Sequence, residues 1–232
     1  MNKLIISGLY SFALFTQAIS QPQCDGYFPF EEGVFFQQTH FDAKGNIMSV
    51  VSSTIDKVEA IPSGFEAHVR TSLADERGEA VGEGEYTVRC IHDVFHIHVN
   101  NLLNPGMLET YQSMQMTTGG EGIQMPAKLT AGQQLPKGGT RIDVTSEGLA
   151  IVTLNFEVLD RKVEGKETIN ILIGAFECYR IRETVNFQAM FLTRSYTTVG
   201  WYAKNVGLVR QETYDQKGQL SSRMELTGWG KL

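Results

Sequence analysis

Along 64-GFEAHVRTSLAD-75 the chain alternates with a period of two. Phe65, Ala67, Val69, Thr71 and Leu73 share one face, and Glu66, His68, Arg70 and Ser72 share the other. In 149-LAIVTLNFEVLD-160, Val152, Leu154, Phe156 and Val158 point one way, while Thr153, Asn155 and Glu157 point the other. Similar runs occur at 34–41, 47–58, 84–91, 93–99, 139–146, 167–173, 175–187, 188–199, 207–214 and 220–227. That makes about a dozen strands at the spacing of an all-β protein. Only 101-NLLNPGMLETYQSM-114 breaks the pattern; it predicts one short helix around Pro105–Gln112, with proline at an early helical position.

The connections carry their own signal. The stretches 38-QTHFDAKGNIMS-49 and 211-QETYDQKGQLSS-222 share Asp-x-Lys-Gly, and 75-DERGE-79 is a weaker copy. In each, an aspartate able to hydrogen-bond its own turn is followed three residues later by a glycine that tolerates positive φ. This predicts hairpins closed by a glycine bulge, and assigns Asp42, Asp75 and Asp215 to turn chemistry. A long run of antiparallel strands twists and curls. The expected fold is therefore all-β with one short helix: a single strongly curved antiparallel sheet, as a half-barrel or open barrel, with the helix as plug or lid.

Composition narrows the setting. Of 232 residues, 42% are hydrophobic and 10% aromatic, enough to build a core without metals. The net charge of −6 and the lack of a Lys/Arg cluster argue against nucleic acid, whose phosphates require a basic surface. The opening 1-MNKLIISGLYSFALFTQAIS-20 has a charged start, an apolar run and small residues near its end, the layout of a signal peptide cleaved before Gln21. Residues 21–232 are then expected to be one exported domain, in the periplasm or on the outer surface, with no transmembrane segment. Lipid attachment at Cys24 is disfavoured, because 21-QPQ-23 lacks the small residue that such signals place before the cysteine.

Five stretches carry a family resemblance: 24-CDGYFPFEEG-33, 41-FDAKGNIMS-49, the strand around Cys90, 174-GAFECYRI-181 and 200-GWYAKNVGLVRQETYDQKGQL-220. In this order they resemble the TapB-like secreted proteins of unknown function of Bacteroidetes. The resemblance implies a signal peptide, an all-β curved-sheet domain and an envelope or surface location. It implies no activity and no catalytic or binding residues. The chain departs from the family near 92-HDVFHIH-98, where other members more often carry an acidic or aromatic residue.

Candidate chemistry is sparse. On a strand, His96 and His98 project to one face, and His92 joins them if no bulge intervenes. Two imidazoles rarely hold zinc, and Asp93 points the other way, so no metal site is assigned. Cys24, Cys90 and Cys178 permit one disulfide and one leftover thiol, the pairing undetermined; the alternative keeps Cys90 and Cys178 reduced in the core. No Gly-x-Ser-x-Gly elbow, calcium loop or phosphate loop is present. No catalytic residue and no cofactor are expected. The reading is of a non-catalytic envelope protein that binds or carries a hydrophobic small molecule or a lipidated envelope partner. The alternative is a structural protein of the envelope with a filled core, and an enzyme comes a distant third.

Overall fold

The computed structural model describes residues 24–97, 115–147 and 149–231. The expected signal peptide at 1–20, the helix at Pro105–Gln112 and His98 lie outside these residues. Twelve strands follow in order: β1 (Val34–Asp42), β2 (Ile47–Ile61), β3 (Gly64–Asp75), β4 (Ala80–Ile91), β5 (Val94–Ile97) and β6 (Gln115–Pro126). The second half comprises β7 (Gly138–Ser146), β8 (Leu149–Ile171), β9 (Gly174–Ala189), β10 (Leu192–Ala203), β11 (Gly207–Tyr214) and β12 (Leu220–Lys231). Each is antiparallel to its sequence neighbour, and β1 pairs with β12, from Val34 opposite Lys231 to Asp42 opposite Ser222.

That last ladder corrects the expected half-barrel or open barrel: the sheet is a closed barrel. Closure removes the two exposed edges that an open sheet would leave with unpaired N–H and C=O groups. Alternation within a strand reports which face is buried, and says nothing about whether the first and last strands meet. Two other expectations also change. The runs 149–160 and 167–173 are one strand, β8, bent at register shifts between Leu159 and Lys162 and between Val163 and Gly165. The glycine-rich 117–126, which shows no clean alternation, is most of β6.

The three repeated turns share one hydrogen-bond scheme. Asp42 Oδ1 accepts from the backbone N–H groups of Lys44 (2.8 Å) and Asn46 (2.9 Å). Asp75 does the same with Arg77 and Glu79, and Asp215 with Lys217 and Gln219. The glycine each turn needs, Gly45, Gly78 or Gly218, sits at φ 86°, 80° or 74°. A register shift accompanies each hairpin.

In an up-and-down barrel the connections alternate between two ends. One end carries the β2–β3, β4–β5, β6–β7, β8–β9 and β10–β11 connections, and it is plugged. Tyr27 and Phe28 are buried there, with Phe28 edge-on to Phe30 and Phe36, Phe30 against Phe95, and Tyr27 edge-on to Tyr179. Asn205 N–H donates to the Gly26 carbonyl at 2.6 Å. A Cβ at Gly26 would lie 1.9 Å from the Phe95 ring, so only glycine passes there. The segment 127–137 adds buried Ala127, Leu129 and Leu135 to the same core.

Candidate functional site

The sequence singled out histidines and cysteines first. His92 and Asp93 take φ 49° and 61° and form the two-residue turn between Ile91 and Val94, so His92 is lifted off the strand that the run 93–99 was expected to extend. His96 stays on β5, opposite Arg89 and Gln124. The histidine cluster is therefore not assembled among the described residues.

Cys24 and Cys90 form a disulfide with Cα atoms 6.3 Å apart, and Cys178 is a buried free thiol. The bond ties the plug to β4. Cys90 thus has no thiol to offer a neighbouring histidine.

Register places together a cluster that sequence reading missed. Glu59 faces Glu66 across β2–β3, and His68 Nε2 lies 2.7 Å from Glu59 Oε1 and 3.4 Å from Glu66 Oε1. These three could ligate a divalent cation, their donor atoms lying within 4.8 Å of one another. The charges are, however, already met. Lys57 is 2.6 Å from Glu59 and Arg89 pairs with Glu66. The hydrogen bond from Lys57, and then that from His68, hold the Glu59 carboxyl below its usual range. The arrangement is a cross-strand charge ladder in which like charges directly opposite are offset by cations. No signal at the level of sequence spacing could reveal it, because the residues meet only through register.

Inside the barrel, Arg161 is 1% exposed. Its Nε donates to Glu183 Oε1 at 2.7 Å, and Nη1 donates to the carbonyls of Gln124 (2.6 Å) and Pro136 (2.8 Å). The pair fastens β8 to β9, β6 and the 127–137 segment. The Arg161 fork is so occupied that it serves as a pin.

Among the described residues, the other end differs in character around its circumference. The β1–β2, β3–β4 and β11–β12 turns are the aspartate turns. The β7–β8 and β9–β10 turns instead expose Leu149, Met190, Phe191 and Leu192. β8 runs on past the β9–β10 turn, since Leu154 opposite Ala189 is its last pair with β9 on that side. This overhang leaves an open depression of about 300 Å³ lined by Ile151, Val152, Thr153, Asn155, Gln188 and Met190. Behind it, Ile142, Val144, Val152 and Leu154 form a second apolar cluster, separate from the main core, with Phe156, Phe187 and Ala189 packed against it. Below the depression Asp143 accepts from Thr153 at 2.6 Å and is paired with Arg141, which lowers its pKa.

Residues 31–226, the body of this barrel, match one family over most of the chain. The chain belongs to the DUF3108-like family. This match does not confirm the narrower TapB-like label. Two solved structures share the fold. One, from Parabacteroides distasonis and described as a lipoprotein, is 25% identical, with a TM-score of 0.75 over 90% of this chain and 100% of its own. The other, from Bacteroides fragilis and described as exported with a YmcC-like fold, is 23% identical, with a TM-score of 0.73 and the same coverage. No curated protein matches the chain. Among the described residues no helix of this DUF3108-like protein is long and apolar enough to cross a membrane. On β3, Glu66, His68 and Arg70 occupy successive outward positions, where a membrane barrel presents lipid-facing side chains.

Proposed function

We propose that this protein is an exported, non-catalytic binding module that takes a hydrophobic or lipid-like ligand, or the lipid group of a modified partner, at the end of its barrel that carries the β7–β8 and β9–β10 turns. The observation that carries this is the apolar ledge between the β7–β8 and β9–β10 turns, backed by the separate Ile142–Leu154 cluster. Apolar side chains exposed together on one rim, beside a depression with a few polar groups, are the usual make-up of a small apolar ligand site. The plugged half offers no such room, because Tyr27, Phe28, Phe36 and Phe95 fill it. The ligand therefore belongs to the rim and not to a concave face running the length of the sheet.

Export is supported by the Cys24–Cys90 disulfide, which suits an oxidising compartment, and by the descriptions of the two relatives. Since the Cys24 sulfur is committed to Cys90, this chain carries no acyl group on Cys24. The periplasm or outer surface is the proposed location. The alternative, a structural envelope protein without a ligand, is favoured by the filled lower core alone.

Native mass spectrometry of protein purified from its own envelope tests the proposal. Extra apolar mass is expected, with a melting temperature that falls on solvent extraction and recovers with envelope lipid extract. Protein without extra mass, and with a melting point indifferent to both treatments, leaves the structural reading as the better account.

A further inference from the structure

We propose that the depression on β8 and β9 selects amphiphiles with an uncharged, hydrogen-bonding headgroup, and that Asp143 sets this choice by holding Arg141. The inference rests on the ligand site proposed above and names the class of ligand that site takes. Among the described residues, those lining the depression carry no charge: Ile151, Val152 and Met190 are apolar, and Thr153, Asn155 and Gln188 are neutral. Asn155 and Gln188 stand directly opposite each other across β8 and β9. Neither side-chain amide has a hydrogen-bond partner among the described residues, whereas the Thr153 hydroxyl donates to Asp143 at 2.6 Å. Two adjacent amides thus offer N–H donors and carbonyl acceptors beside an apolar ledge.

Charge placement decides what those amides receive. Arg141 is the partner of Asn155 in the β7–β8 ladder, and it is the cation that an acidic headgroup would need. Its guanidinium is already taken. Nε donates to Asp143 Oδ2 at 2.8 Å, and Nη2 donates to Oδ1 at 2.8 Å. This planar fork on a carboxylate is the strong, two-bonded form of the ion pair. The bonds from Arg141, and then that from Thr153, hold the Asp143 carboxyl below its usual range, so it stays ionised and keeps the arginine. Glu157 is exposed two positions along β8 from Asn155, on the same face and about 7 Å away. An anionic headgroup would therefore meet an unneutralised carboxylate and a spoken-for cation. An ester carbonyl or a hydroxyl finds partners in both amides and meets no such repulsion.

The test is calorimetric titration of the exported protein at neutral pH with three ligands of one chain length: 1-monolauroylglycerol, laurate and dodecylammonium. Each is used below its micelle-forming concentration. The monoacylglycerol should bind about tenfold tighter than laurate, the equivalent of one or two net hydrogen bonds. Asp143→Asn releases the guanidinium and should raise the affinity for laurate about tenfold. Asn155→Leu combined with Gln188→Leu should remove most of the parent's preference for the monoacylglycerol. The proposal is overturned if laurate or dodecylammonium binds the parent as tightly as the monoacylglycerol, or if Asp143→Asn leaves the preference intact. Either result keeps an apolar ligand site and removes the selectivity argued for it. A parent that binds none of the three defeats the ligand site itself, and this inference with it. Should Asp143→Asn lower the melting temperature, the parent's own ranking of the three ligands still decides.

Discussion

Replacing Cys24 with alanine opens a cross-link spanning 66 residues, from the plug to β4. In the chain-entropy account, closing a loop of that length lowers the entropy of the unfolded chain enough to stabilise the fold by about 4 kcal/mol at 25 °C. A domain is stable by roughly 5–15 kcal/mol in all, so the loss is a large share. Cys24 is only partly buried and packs beside the core, so the substitution itself removes little apolar contact. Urea denaturation followed by tryptophan fluorescence reads the effect. With a slope near 3 kcal/mol/M, the midpoint should fall by about 1.3 M. Reductant should move the parent to the midpoint of the variant and leave the variant where it is. Equal midpoints for parent and Cys24→Ala, or a parent indifferent to reductant, would refute the pairing of Cys24 with Cys90 and the anchoring of the plug.

Two further predictions concern buried polar groups. Arg161→Met leaves the Glu183 carboxylate, 7% exposed, without its cation and should cost about 3–5 kcal/mol, while adding Glu183→Leu should restore much of it; urea midpoints that are the same for single and double variants would sink this reading. Burial, with the Glu167 charge adding to it, pushes the Cys178 thiol up to about 12 from 9. Native protein at pH 8 should therefore leave this thiol unmodified by a thiol reagent that titrates it readily after unfolding. Because the folded value is the higher one, the stabilisation is complete below pH 9. It is lost between pH 9 and 12 at about 1.4 kcal/mol per pH unit, as the unfolded chain ionises first. The Tyr27 and Tyr86 phenols, also pushed up to about 12, titrate in the same range. The difference in slope between parent and Cys178→Ala isolates the thiol, and identical slopes would contradict the assignment.

Local patterns made most of the strands legible. Ala67 and Val69, placed on one face of β3 by alternation alone, are buried, and Arg70 on the other face is exposed. The three aspartate turns were equally readable, because an aspartate and a glycine at fixed offsets determine a turn through bonds within five residues. The break at His92 was not, since the positive φ of His92 and Asp93 follows from the pairing of β4 with β5 and not from a glycine. β6 was missed because its glycines blur the period that identifies a strand.

What the amino-acid order determined by itself is thus the β character, the face each strand buries and the chemistry of its tight turns. The tertiary structure decided the rest: closure of β1 on β12, the pairing of Cys24 with Cys90, the Arg161–Glu183 pin and the joining of Ile151 and Val152 with Gln188 and Met190 around one depression. Each of these joins residues far apart in the chain or on different strands. Their proximity depends on register and curvature summed over many strands, and no window of sequence contains that sum.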